Sequence, residues 1–193
     1  TWHALPPRRG AWRLLDGEED GDAASVWRLD IEDGAAEDAA AAAPRVRGRV
    51  SVVVPTTSDR HEFHAQLWLC YHAQTYTDKE LIVIDSGDAP SPFFRAHCGG
   101  APGLTYVYLG EPLSAGAKRN LAISEHSTGE IIANFDDDDL YLPSYLQAMV
   151  RALTTARAAL VHLDAWCVLD VETGLCGTSR AEPERRCGFA MVY

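Results

Sequence analysis

Several features are scarce or missing in this 193-residue chain, and each absence narrows what it can do. Basic residues are few. Seventeen lysines and arginines stand against 28 acidic residues, a formal net charge of -11. With no basic face to neutralise phosphates, nucleic acid is excluded as a partner. No apolar run approaches the roughly 20 residues needed to cross a bilayer, so no membrane span is expected, and no signal peptide is visible. The first residue is Thr1 rather than Met. Location therefore stays open: a soluble domain, cytoplasmic, or Golgi-associated if a membrane anchor lies outside this chain. The five cysteines, Cys70, Cys98, Cys167, Cys176 and Cys187, are odd in number and contain no Cys-x-x-Cys pair. That argues against a zinc ribbon and against a paired disulfide framework. No Gly-x-x-x-x-Gly-Lys-Ser/Thr sequence occurs, which excludes a phosphate-cradling NTPase loop. No Gly-x-Gly-x-x-Gly follows the first strand, which disfavours a dinucleotide fold.

What is present divides in two. Residues 1–48 form an acidic segment carrying Trp2, Trp12 and Trp27, followed by an alanine-rich linker. The stretches WRLLD and VWRLDIED alternate weakly, consistent with a small hairpin, while the acidic blocks around them favour a mobile segment. From Arg49 the character changes. VSVVV is a β-branched run of strand length, ended by Pro55 to Ser58, and an apolar stripe from His61 to Gln74 predicts a helix. Strands are expected at Leu81–Ile84, Leu104–Leu109 and Ile131–Phe135. Helices are expected from the Pro90-Ser91-Pro92 opening to His97, over 114–126 with Ser114 as cap, and from Pro143 through Leu153. Leu160 to Val171 reads as one strand, turned at Glu172-Thr173-Gly174 into a return strand. CGFAMVY reads as a strand still running at Tyr193, so truncation at the C-terminus is expected. Alternating strands and helices specify an α/β fold with a mostly parallel sheet flanked by helices. The expected domain spans 49–193 and is incomplete.

In such sheets ligands bind beyond the carboxyl ends of the strands. Pro55-Thr56-Thr57, Asp85-Ser86-Gly87, Gly110 and the four aspartates Asp136 to Asp139 should share that edge. Four adjacent carboxylates repel one another, and a hard divalent cation is the simplest compensation. Magnesium and manganese commonly complete their shell with phosphate and water. Lys118 and Arg119, next to Gly116 and Asn120, supply positive charge for a phosphate.

VSVVVPTTSDR, QTYTDKELIVIDSGD and SAGAKRNLAISEHSTGEIIANFDDDDLYLP resemble, in order and spacing, the nucleotide-binding half of the family 2 glycosyltransferases with the GT-A fold. The resemblance covers roughly 49–161. It implies a metal-dependent, inverting glycosyltransferase of the hexosyltransferase type. The donor would be a nucleoside-diphosphate sugar, the cofactor Mn2+ or Mg2+, and the acceptor a glycan, lipid or protein hydroxyl. It further implies that Asp136 and Asp138 are the Asp-x-Asp pair, with Asp138 the direct metal ligand and Asp136 on the ribose or supporting the metal. Asp137 could take either role. Pro55, Thr56 and Thr57 would line the base pocket and Asp85 would read the base or ribose. Lys118, Arg119 and Asn120 would lie near the diphosphate. The family often carries an aromatic and an asparagine where this chain has Thr57 and Ser58, and a second acid where it has Ser86. The catalytic base is unassigned and expected beyond Tyr193. Two other readings stand beside this one. One is a degenerate domain that binds cation or nucleotide and transfers nothing. The other is a sugar nucleotidyltransferase, which would need a glycine-rich loop that PTTSDR lacks.

Overall fold

The computed structural model describes residues 10–14, 27–31, 48–163, 165–170, 173–180 and 191–193. Contacts divide the chain into two compact units, Thr1–Arg45 with Ala165–Arg180, and Val46–Asp164 with Ala181–Tyr193. In the first unit the two WRL stretches form strands β1 (Gly10–Leu14) and β2 (Trp27–Ile31). They pair antiparallel, with Trp12 opposite Leu29. The alternation seen in these stretches thus gives strands. The alanine-rich linker and Cys187 lie outside the described residues, and Cys70, Cys98, Cys167 and Cys176 are free thiols.

The second unit is built on a six-stranded sheet. Its first segment is β3 (Val50–Thr57), followed by a 3-10 turn (Ser58–Phe63) and helix α1 (His64–Ala73). Next come β4 (Lys79–Ser86), α2 (Pro92–His97) and β5 (Leu104–Leu109). Helix α3 (Ala115–Leu121) runs into a π turn (Ala122–His126), then β6 (Ile131–Asn134) and α4 (Tyr145–Ala156). Ser114 caps α3 as expected, accepting from the Ala117 N–H at 3.3 Å. Several boundaries differ from expectation: β4 runs from Lys79 to Ser86 rather than Leu81 to Ile84, and α4 starts at Tyr145 rather than Pro143. Strand β3 continues through Pro55 to Thr57, because it still pairs residue for residue with β4 there. The helix after it starts only at His64, since the preceding residues coil more tightly as a 3-10 turn.

Leu160 to Val171 does not form one strand. The apolar pattern holds, but the segment splits between two sheets. β7 (Val161–His162) belongs to the main sheet, whereas β8 (Ala165–Leu169) pairs with β9 (Cys176–Arg180) in the first unit. The turn between β8 and β9 closes where Gly174 adopts φ +69, a conformation glycine takes without strain. The chain then returns as β10 (Met191–Val192), antiparallel to both β6 and β7.

Sheet order is β5-β4-β3-β6-β10-β7, with β5, β4, β3 and β6 mutually parallel. Successive connections step outward from β3 through β4 to β5, then the chain crosses back to place β6 on the other side of β3. The crevice between the ends of β3 and β6 is therefore the switch point at which open α/β sheets bind ligands. Both faces of the sheet are buried, which explains the continuous apolar runs. Val52, Val54, Leu81, Val83 and Phe135 pack with Leu67, Phe94 and Leu146 on one side. Val53, Ile82, Ile84 and Ile132 pack with Ala122 on the other.

At the amino ends of these strands Glu80 is a buried pin. It accepts from Ser51 Oγ at 2.6 Å and from the Thr128 N–H at 2.7 Å, and pairs with Arg49 at 3.3 Å. Burial alone would raise its carboxyl. The hydrogen bonds from Ser51 and Thr128 and the Arg49 charge outweigh that and hold it below its ordinary value. Gly129, whose N–H donates to Ser51 Oγ, has no room for a side chain. A Cβ there would sit 2.5 Å from the Arg49 carbonyl oxygen and 2.8 Å from the Ser51 nitrogen. Gly129→Ala is therefore expected to lower unfolding stability by about 1–3 kcal/mol in urea titrations. Gly116→Ala, with nothing within 4 Å of the new carbon, should not destabilise the fold.

Candidate active site

The switch-point crevice is an open cleft of about 440 Å³. It is lined by Pro55, Thr56, Thr57, Lys118, Arg119, Asp136, Asp137 and Asp138, together with Arg60, Leu113 and Ala115. Its opening follows from the sequence. Pairing of β3 with β6 ends at Val53 and Asn134, two residues before Pro55, which has no N–H to continue a ladder. Beyond that point the two strands part, and the aspartates begin.

The aspartate run is anchored at both ends. Phe135 and Tyr141 stack with ring centroids 3.6 Å apart, and the Tyr141 hydroxyl accepts from the Asp136 N–H at 2.8 Å. Buried Gln74 of the QTY stretch grips the chain just after the run. Its amide donates to the Leu142 carbonyl at 2.9 Å and its oxygen accepts from the Leu146 N–H at 2.9 Å. The carboxylates within this loop have different surroundings. Asp136 Oδ1 accepts from Arg119 Nη2 at 2.6 Å. Asp137 is buried; its Oδ2 accepts from Thr56 Oγ1 at 2.6 Å and its Oδ1 from Arg60 Nε at 3.3 Å. Asp138 is exposed at the rim and pairs with Arg60 Nη2. Burial raises the Asp136 carboxyl, opposed by Arg119. Burial and the three neighbouring carboxylates push Asp139 up to about 6. The run therefore carries more negative charge than its protein partners offset.

Thr56 connects this loop to the strand beside it through one buried chain of hydrogen bonds. Because Thr56 Oγ1 donates to Asp137, it accepts from His64 Nε2, 2.9 Å away. His64 Nδ1 must then accept from Ser91 Oγ at 2.7 Å, and Ser91 Oγ accepts from the Phe94 N–H at 3.2 Å. Ser91 also serves the neighbouring acid. Its N–H donates to Asp85 Oδ2 at 3.1 Å, an oxygen that also contacts His61 Nε2 at 3.0 Å and the Tyr106 hydroxyl at 2.7 Å. Asp85 is fully buried beside Thr56 and does not line the cleft, and its Oδ1 has no hydrogen-bond partner among the described residues. Arg119 Nε is likewise unpartnered. Lys118 is buried, donates to the Thr56 carbonyl, and is held below the usual lysine range by burial. Asn120 is exposed on α3 and does not line the cleft.

Sequence reasoning missed Arg60, His64 and Gln74. Arg60 closes the VSVVVPTTSDR stretch and His64 and Gln74 lie on a segment read for its apolar stripe, so the only signal was their polarity. Asp164 lies outside the described residues, and Asp170 Oδ1 accepts from the Thr173 N–H in the β8–β9 turn.

Residues 51–175 match the family model of glycosyl transferase family 2. The chain belongs to this family. No curated protein matches it at significance. Among solved structures, the mannosyltransferase PcManGT from Pyrobaculum calidifontis, in complex with GDP-Man and Mn2+, is similar with a TM-score of 0.55 at 28% identity. That match covers 66% of this chain and 38% of the other. TarS of S. aureus, residues 1–349, is similar with a TM-score of 0.52 at 19% identity, covering 59% of this chain and 34% of the other. A TarS structure in complex with UDP-GlcNAc is similar to the same degree. The chain thus spans little more than a third of these relatives. The sheet and its flanking helices are those of the GT-A fold. No helix among the described residues is long and apolar enough to cross a membrane.

Among the described residues no three side chains converge to hold a metal ion by themselves. The donor set still fits a hard cation. Mn2+ and Mg2+ are commonly held by one or two carboxylates, with phosphate and water supplying the rest. Asp136 and Asp138 are oxygen donors that line the cleft.

The buried His64 has a pH signature. Burial, with His61 adding to it, lowers its pKa from 6.5 to about 4, against the opposing effect of Asp85. A histidine depressed in the fold contributes stability that is present above the unfolded value and lost as pH falls toward the folded one. Asp139, raised in the fold, acts in the opposite sense over overlapping pH, so the comparison must be with a variant. Urea unfolding of the wild type minus that of His64→Gln should show a loss confined to the window from pH 6.5 to about 4.

Proposed function

We propose that this domain binds a nucleoside-diphosphate sugar together with Mn2+ or Mg2+, and serves transfer of the sugar to an acceptor hydroxyl with inversion. One observation carries the reading. At the switch point of the sheet, three carboxylates, Asp136, Asp137 and Asp138, and three basic side chains, Arg60, Lys118 and Arg119, face one cleft. A cation and a diphosphate together satisfy both signs of charge; neither does so alone. The Mn2+ and GDP-Man of the Pyrobaculum enzyme support the same pairing.

In this reading Asp136 and Asp138 hold the cation, and each keeps a carboxylate oxygen directed to other partners than its arginine. Asp137, committed to Thr56 and Arg60, positions the loop. Arg119 and Lys118 face the diphosphate, and the unpartnered Arg119 Nε is a donor for it. Pro55, Thr56 and Thr57 border the nucleoside. Asp85, with its unsatisfied Oδ1, is an acceptor for a base or ribose N–H or O–H. Asn120, exposed on α3, has the weakest claim to contact. The bound cation would stabilise negative charge on the leaving diphosphate. In the transfer, the acceptor oxygen forms a bond to the anomeric carbon as that carbon's bond to the phosphate oxygen breaks. The electron pair leaves with the nucleoside diphosphate, and a carboxylate base receives the acceptor proton.

Calorimetry with UDP, GDP and TDP, each with and without Mn2+, tests this. At least one should bind in an Mn2+-dependent manner, and Asp138→Ala should weaken that binding by about tenfold or more, the loss of one charged ligand. Absence of binding for all three, or binding indifferent to Asp138→Ala, would sink the proposal.

A further inference from the structure

Arg60 closes the VSVVVPTTSDR stretch and carries no role from the resemblance, yet it reaches across to the aspartate run. It contacts two of the four carboxylates, Asp137 through Nε and Asp138 through Nη2. Its guanidinium lies 5.3 Å from the Phe63 ring centroid. Arg119, by contrast, takes Asp136 alone. Arg60 therefore sits on an oxygen of the exposed carboxylate proposed as the direct cation ligand.

Three features separate it from a fixed structural arginine. Its side chain is 38% exposed. It springs from a 3-10 turn in which no residue is buried. It lines the same cleft as Thr57, Lys118 and Arg119, where the diphosphate is proposed to lie. A guanidinium and a divalent cation on one carboxylate repel each other. A diphosphate, by contrast, offers a guanidinium the paired oxygens that its fork matches best.

We propose that Arg60 is an exchangeable counter-ion. It neutralises Asp138 in the arrangement seen here. When a cation and a nucleoside diphosphate enter together, it yields Asp138 to the cation and turns onto the diphosphate, with the Phe63 ring as its pivot. This rests on the reading of the cleft as a nucleoside-diphosphate site. The exchange makes the two ligands cooperative. Cation alone must displace a guanidinium that has nowhere better to go, whereas cation with diphosphate gives that guanidinium a new partner.

The test uses the full chain and two separate readouts. Mn2+ alone is titrated by electron paramagnetic resonance, and UDP, GDP and TDP are titrated by calorimetry in saturating Mn2+. Arg60→Gln should bind Mn2+ alone about threefold more tightly, having lost a competitor of surface ion-pair strength. It should bind the nucleotide about tenfold or more weakly, having lost a charge-assisted contact. Arg60→Lys, which keeps the charge without the fork, should fall between wild type and Arg60→Gln on both readouts. Thermal unfolding establishes that each variant is folded. If Arg60→Gln is not, the lysine variant's displacement in the same two opposite directions decides. Weakening of both ligands together would mean that Arg60 merely props the aspartate loop, and would overturn the proposal, as would no change in either. Failure of the wild type to bind any of the three nucleotides with Mn2+ would instead strike the functional reading. The Mn2+-alone comparison would still decide whether Arg60 competes for Asp138.

Discussion

Asp137 is a carboxylate buried at the end of a sheet, and burying an ionised group without partners is strongly unfavourable. It is tolerated here because Thr56, on the adjacent strand, gives it a short hydrogen bond, and because Arg60 supplies charge. The rest of the site follows from that constraint. Thr56 has a single hydroxyl hydrogen; with it given to Asp137, the contact with His64 must be one that Thr56 accepts from Nε2. Burial keeps His64 neutral, so with Nε2 donating its Nδ1 is left as an acceptor, and Ser91 fills it. A single buried acid thus fixes the protonation and orientation of residues on β3, α1 and the cap of α2.

The arrangement separates two jobs among chemically identical side chains. Asp137 faces inward and is consumed by the fold, which leaves Asp136 and Asp138 at the cleft. The division falls at a turn beyond the end of β6, where Asp137 is buried and Asp138 beside it is exposed. The network also joins the two acidic strand ends. Ser91 touches Asp85 through its backbone and reaches Asp137 through His64 and Thr56. A disturbance at one acid is felt at the other through fully buried, well-packed groups, which have little freedom to absorb it.

Much of this was legible in the sequence, and the parts that were not share a cause. The four parallel strands announced themselves because strands buried on both faces must be continuously apolar, as VSVVV and LIVI are. The aspartates, Thr56 and Lys118 were legible because strand ends converge on one edge in any such sheet. Arg60 and His64 were not. Arg60 meets Asp137 across a sequence separation of 77, and nothing local distinguishes it from a surface arginine. His64 lies in a helix whose apolar stripe hides it, and its significance comes from Thr56 and Ser91 rather than from its neighbours. Gln74 looked like the end of a helix, although its amide organises the loop after the aspartates. The division of Leu160 to Val171 was hidden for a different reason. Apolar alternation identifies a strand but not the sheet that will claim it.

Strand β10 has a bearing on how the molecule is made. It lies between β6 and β7, and β7 joins the sheet through β10 alone among the described residues. The sheet is therefore assembled out of chain order. Because β10 follows the β8–β9 hairpin in the chain, one edge of β6 lacks its partner in any chain that ends before Met191 and Val192. A bare strand edge is a template for pairing with another chain. The interval before Met191 and Val192 arrive is thus the period when a nascent chain is most exposed to its neighbours. The edge at risk belongs to the strand that carries the aspartates.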